Sequence, residues 1–140
     1  MIPVYYNEKN LRPLYQDIKE KFIDKIDYEY EIVMVNDGSG DNSWQVMQEL
    51  RDMDSNIHLI SLSRNFGSHA AILCGLSHCT GDLAAVKAAD LQEPTELILQ
   101  MVERWKEGNR VVLAVRKARN EPLKQTFFSE LYYKIVRKCA

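Results

Sequence analysis

Long apolar runs are absent from this chain. No stretch of its 140 residues approaches the ~20 apolar residues that a bilayer-crossing helix needs. Cysteine is scarce. Cys74, Cys79 and Cys139 are odd in number and include no Cys-x-x-Cys pair, which argues against a disulfide framework and fits a reducing, cytoplasmic setting. His58, His69 and His78 share no metal-ligand spacing with them. Six glycines and four prolines are too few for a low-complexity linker, and no internal repeat is visible. Charge of one sign is lacking too. A net charge of −2 gives no global footprint for nucleic acid, and no nucleic-acid partner is expected.

What remains has the composition of an ordinary globular domain: 46% hydrophobic and 27% charged residues, in a length that suits one domain with a real core. The charge is unevenly spread. Residues 110–140 carry Arg110, Arg116, Lys117, Arg119, Lys124, Lys134, Arg137 and Lys138 against Glu121 and Glu130, a net of +6, so the first 109 residues sum to −8. A basic segment of this kind suits phosphate groups or an anionic membrane surface; a solvated helix with basic residues near its end is an equal reading. The start, Met1-Ile2-Pro3-Val4-Tyr5, enters a strand-like pattern at once, so no signal peptide is expected.

Strand-like and helix-like segments alternate along the chain. Ile2–Tyr6, Tyr30–Asn36, Ile57–Ser63, Leu83–Val86 and Val111–Val115 read as strands. Between them, Leu11, Leu14, Tyr15, Ile18 and Phe22 keep helical spacing, as do Trp44, Met47 and Leu50. A helix of small residues spans Gly67 to Cys79. Pro94 suits the first turn of a helix with Leu97, Met101, Val102 and Trp105 on its inner face, and a last helix presents Phe128, Leu131, Tyr132, Ile135 and Val136. Alternation with short turns predicts a mostly parallel α/β sheet, Rossmann-like, with helices on both faces. The short first strand and a last helix at the very end suggest part of a longer protein.

Two of the predicted strand ends carry acidic turns. Ile32–Val35 runs into Asn36-Asp37-Gly38-Ser39-Gly40-Asp41, and Leu83–Val86 runs into Lys87-Ala88-Ala89-Asp90-Leu91-Gln92-Glu93-Pro94. Ligands of open α/β sheets bind outside the carboxyl ends of the strands. Asp90 and Gln92, two residues apart in a turn, can put two oxygens on one hard cation. Each turn alone reads as an ordinary strand-to-helix connection with a capping Asp. Their recurrence favours a site for a metal-bound diphosphate.

The motifs Pro3-Val4-Tyr5-Tyr6-Asn7-Glu8, Asn36-Asp37-Gly38-Ser39, Ser63-Arg64-Asn65-Phe66-Gly67, Gly81-Asp82 and Ala89-Asp90-Leu91-Gln92-Glu93-Pro94 occur in the order seen in family 2 glycosyltransferases. Nearly the whole chain resembles that family, and within it the polyprenyl-phosphate glycosyltransferases. The resemblance implies that residues 1–140 are the nucleotide-sugar-binding part of a GT-A fold, working with Mg²⁺ or Mn²⁺. It implies that Pro3, Tyr5, Glu8 and Asp37 hold base and ribose, with the roles of Tyr5 and Tyr6 exchangeable because of the extra Tyr. It implies that Ala89, Asp90 and Gln92 lie at the metal and diphosphate, with Asp90 as the catalytic carboxylate and Asp90 and Gln92 as metal ligands. It places Arg116 near the phosphates, with Arg119 as a second candidate. Ala88 stands where the family has the first Asp of an Asp-x-Asp turn, so weak metal binding without nucleotide is expected.

The implied reaction moves a sugar from a nucleoside diphosphate to a lipid-phosphate or glycan acceptor with inversion. A lipid phosphate, with a second pKa near ~6, needs little help from a general base, and residues 117–140 offer no good base. Peripheral membrane contact, at the inner face of a membrane, is a further expectation. A receiver-like signalling module is the alternative: such domains also carry Asp residues and Mg²⁺ at strand ends. A nucleotidyltransferase would need a Gly-rich loop after the first strand, where Asn7-Glu8-Lys9-Asn10 stands.

Overall fold

A computed structural model describes residues 1–115. Three strands, β1 (Ile2–Val4), β2 (Ile32–Asn36) and β3 (Ile57–Ser61), form one sheet in the order β1-β2-β3. Both pairings are parallel, with Ile2 opposite Met34 and Ile32 opposite Ile57. The helices are α1 (Glu8–Lys21), α2 (Ser43–Met53), α3 (Ser68–Ser77) and α4 (Glu96–Lys106), with a short 3₁₀ turn at Ile23–Lys25.

β2 is buried along its whole length, as a central parallel strand must be when both faces are covered. Period-two alternation splits its side chains between two cores. Ile32 and Met34 join Ile2 and Val4 against Leu11, Leu14 and Ile18 of α1 and Val46, Met47 and Leu50 of α2. Val33 and Val35 pack on the other face with Met1 and Ala71 of α3. The expected α/β class, a parallel sheet with helices on both faces in a GT-A fragment, is what the chain adopts.

The two later strands do not form among the described residues. Leu83–Val86 still touches the sheet edge at one point. The Met1 ammonium donates to the Ala85 carbonyl at 2.6 Å and the Lys87 amide donates to the Met1 carbonyl at 3.0 Å. That is the bonding of a parallel ladder with Val86 opposite Met1. Leu83–Ala85 make no further ladder step among the described residues. Val111–Val115 forms no strand among the described residues, and Val111, Leu113 and Val115 are 77–79% exposed. The other strands are shorter than their sequence patterns at one end or the other, because pairing ends where the turns begin. Pro94 sits just ahead of α4, before its N-cap Thr95. Of the expected inner face of α4 only Val102 is buried. The expected last helix lies outside the described residues.

Candidate functional site at the strand carboxyl ends

Three turns meet where the parallel strands end, and side-chain hydrogen bonds join them. The turn after β1 is held by the turn after β2: the Ser39 hydroxyl accepts from the Tyr6 amide at 3.1 Å, and the Ser43 hydroxyl from the Asn7 amide at 3.0 Å. The tie is reciprocal at the heads of α1 and α2. Asp41 accepts from the Glu8 amide at 3.3 Å, while Glu8 accepts from the Asn42 backbone at 3.1 Å and from the Asn42 side chain at 3.2 Å. Each carboxylate thus takes up a free amide of the neighbouring helix start. Burial alone would raise Asp41, but hydrogen bonds from the Ser43 hydroxyl and backbone and from the Glu8 amide outweigh it and hold the carboxyl below its ordinary value.

Asp37 is 3% exposed. Its two oxygens accept from the Phe66 amide at 2.8 Å and the Gly67 amide at 3.0 Å, drawing the loop after β3 onto the turn after β2. Gly38 permits this approach. It has φ +67°, and a Cβ there would sit 2.5 Å from the Arg64 carbonyl carbon. Only glycine meets both conditions.

An aromatic and cationic rim stands above these turns. Tyr5 and Tyr6 are 47% and 57% exposed and meet edge to face with ring centroids 4.8 Å apart. The Arg64 guanidinium lies over the Phe66 ring at 4.7 Å. Tyr6 holds φ +53°, a left-handed conformation uncommon for a bulky residue. A shallow concavity of about 360 Å³ is lined by Tyr6, Asn7, Glu8, Lys9, Asn10 and Asp41. The larger groove, about 720 Å³, lies at the opposite end of the sheet, among Ile2, Ile18, Ile32, Leu83 and Trp105.

The turn from Ala88 to Glu93 leaves the sheet edge at the same end. Ala89 is buried in the α1 and α2 core, and Asp90 accepts from the Gln92 amide at 3.0 Å. Leu91 has φ +60°. Asp90 and Gln92 both face solvent. Among the described residues no hydrogen bond joins this turn to the other three; it is anchored instead through Lys87 and Thr95. No group of three His, Cys, Asp or Glu side chains among the described residues can hold a metal unaided. One carboxylate and one amide oxygen fit a hard cation whose remaining ligands are waters and substrate phosphates.

The structure thus brings Tyr5, Glu8 and Asp37 together, with Pro3 beneath them in β1 paired to Val35. Asp90, Gln92 and Ala89 stand in a separate turn at the same end. Arg116 lies outside the described residues, as do Arg119 and Cys139. Cys74 and Cys79 are free thiols. Sequence reasoning missed Ser39, Asp41 and Ser43 as the bonds between turns, since each reads as ordinary turn chemistry. It also passed over Lys87, although a lone cation in an otherwise apolar segment was a visible signal.

Comparison with known proteins follows the same motifs. The chain is 40% identical over 140 residues to an uncharacterized glycosyltransferase of Bacillus subtilis, covering 97% of this chain and 42% of that protein. It is 36% identical over 140 residues to the bactoprenol glucosyl transferase of Shigella phage SfX, covering 99% and 45% respectively. It is 40% identical over 122 residues to the undecaprenyl-phosphate 4-deoxy-4-formamido-L-arabinose transferase of Pseudomonas fluorescens, covering 86% and 36%. The chain spans less than half the length of these relatives. The family described as Glycosyl transferase family 2 matches residues 1–138, which takes in each of the strand-end turns, and the chain belongs to that family.

Proposed function

We propose that residues 1–115 carry the donor side of an inverting glycosyltransferase that moves a sugar from a nucleoside diphosphate to a polyprenyl phosphate. The observation that carries this reading is the joining of three strand-end turns into one face, with the Asp90 turn at the same end. Tyr5 and Tyr6 offer exposed rings for a nucleobase, and the Asp37–Ser39 turn offers acceptors and donors for ribose. The relatives named for undecaprenyl phosphate and bactoprenol support a lipid-phosphate acceptor. Such an acceptor is already ionised near neutral pH and attacks without a strong general base. Among the described residues no helix is long and apolar enough to cross a membrane. In this reading the lipid is met from the cytoplasmic side, at the membrane surface.

Asp90 and Gln92 are the residues that would hold Mg²⁺ or Mn²⁺. The bound cation would neutralise charge developing on the leaving diphosphate. Asp90 contributes the anionic oxygen, and its bond from the Gln92 amide fixes its rotamer. At the heads of α1 and α2 the Glu8, Asn42 and Ser43 amides donate to carboxylates, so these bonds orient the turns.

Calorimetric titration with UDP-sugars and GDP-sugars, with and without Mg²⁺ or Mn²⁺, tests the proposal. Donor binding strengthened by the cation is expected, and Asp90→Ala should remove the cation's effect while leaving the fold intact. Unchanged donor affinity of Asp90→Ala in added cation would sink the metal assignment. Absence of binding for every nucleotide sugar would favour the signalling-module reading.

A further inference from the structure

Lys87 is 4% exposed, although lysine is rarely buried without a partner. It closes the Asp90 turn at both ends. Its backbone amide donates to the Met1 carbonyl at 3.0 Å, fixing the turn to the sheet edge. Its ammonium reaches forward and donates to the Glu93 carbonyl at 2.6 Å. A buried ammonium needs a countercharge as well as an acceptor. Asp17 of α1 is a nearby negative charge, its own ion pair being with Lys21 at 2.7 Å: burial raises its carboxyl, but bonds from Lys21 and Thr95 and the charges of Lys21 and Lys87 hold it below its ordinary value. Asp17 also takes a bond from the buried Thr95 hydroxyl at the head of α4. The six-residue loop is therefore tied to Met1 at the sheet edge and closed on Glu93, just ahead of α4, whose capping Thr95 is bonded to α1. Within it Asp90 and Gln92 project to solvent around Leu91, which is left-handed. With Ala88 contributing no carboxylate, the turn has one anionic ligand to place.

We infer that Lys87 is a positioning residue for the sugar-transfer reaction, its ammonium on the Glu93 carbonyl fixing the loop that presents Asp90 and Gln92 to a metal-bound diphosphate. This rests on the reading of Asp90 as the residue that holds the cation. Lys87 touches neither donor nor cation; it acts through the geometry of the turn. Partners that orient ligands are worth roughly 10–100-fold in metal affinity.

The test compares Lys87→Met, Lys87→Arg and Asp90→Ala with the unaltered chain. Calorimetry reads two quantities: the gain in nucleotide-sugar affinity produced by Mn²⁺, and the affinity for free uridine and guanosine. Lys87→Met keeps the apolar stem and removes the donor. It should lose about tenfold of the Mn²⁺-produced gain, by the ligand-orienting precedent, while nucleoside affinity stays within about twofold. Lys87→Arg retains a cationic donor and should recover part of the loss. Hydrogen exchange should show faster exchange at the Gln92 amide in Lys87→Met.

An unchanged Mn²⁺ effect in Lys87→Met, with Asp90→Ala defective, would overturn the role of Lys87 and leave the metal reading standing. Equal losses for nucleoside and nucleotide sugar would overturn it too, since that marks a general structural role. A silent Asp90→Ala would remove the metal reading and the inference with it. If Lys87→Met does not fold, Lys87→Gln decides on the same readouts: its shorter amide cannot reach as far, so a folded Lys87→Gln with a full Mn²⁺ effect refutes the inference.

Discussion

Removing the Asp37 carboxylate should unfasten the loop after β3 before it harms the rest of the fold. The two bonds at stake, from Phe66 at 2.8 Å and Gly67 at 3.0 Å, are charge-assisted, and each such bond is worth about 1.5–3 kcal/mol. Their sum is an upper bound. Phe66 is half exposed and Gly67 partly so, so water takes up the released amides and recovers part of the loss. The Gly67 amide also keeps its bond to the Asn65 side-chain oxygen at 2.8 Å. A net cost of about 2–3 kcal/mol for Asp37→Ala follows. Urea unfolding measures the cost, and hydrogen exchange at Phe66 and Gly67 locates it. Free-nucleoside affinity should fall as well, because the same loop carries Arg64 and Phe66 on the rim. A cost below about 1 kcal/mol with undiminished protection at both amides would refute the view of Asp37 as the fastener. If nucleoside affinity holds while only diphosphate-dependent binding falls, Asp37 belongs with the metal turn.

The legible parts of this fold were those governed by local periodicity. Leu11, Leu14 and Ile18 mark α1, and Trp44, Met47 and Leu50 mark α2, because a helix face is written at a spacing that sequence displays directly. The strands were legible as apolar runs but not as ladders. A strand exists only where a neighbour offers matching backbone, and nothing in Leu83–Val86 reveals that it meets the sheet at a single step, Val86 beside Met1. The same limit applies to the site. Asp37 and Asp90 stood out as acidic residues at strand ends. That Asp37 turns inward to two amides thirty residues away, while Asp90 turns outward, depends on how the loop after β3 folds back. Tyr6 and Leu91 take left-handed backbone with no glycine to announce it. Such departures from local preference gather where tertiary contacts overrule it.

Gly38→Ala should cost at least about 2 kcal/mol, since it combines left-handed backbone with a Cβ driven into the Arg64 carbonyl carbon; urea unfolding would show it, and a cost near zero would mean that the two turns do not touch. Tyr15 is pushed up to about 12 by burial and by its bond to Asp54. A raised tyrosine gives stability that is intact below the unfolded value near ~10 and lost as pH climbs through the folded one, so Tyr15→Phe should flatten the alkaline fall in stability, and an unaltered profile refutes the shift. Tyr6 provides the sharpest conformational test, because its φ of +53° inverts the usual order of small residues. Alanine normally exceeds glycine in stability by restricting the unfolded chain; at a left-handed position alanine bears a steric cost of roughly 1–2 kcal/mol that glycine escapes. The Tyr6 ring is more than half exposed, so its packing is lost equally in both variants and cancels in the comparison. Tyr6→Gly should therefore be the more stable of the two by up to about 1 kcal/mol. Both should lose nucleoside affinity if the ring faces the base. An alanine variant at least as stable as the glycine variant would show that the backbone at Tyr6 is not left-handed in solution, and the turn would then present Tyr5 and Tyr6 to the donor in a different arrangement.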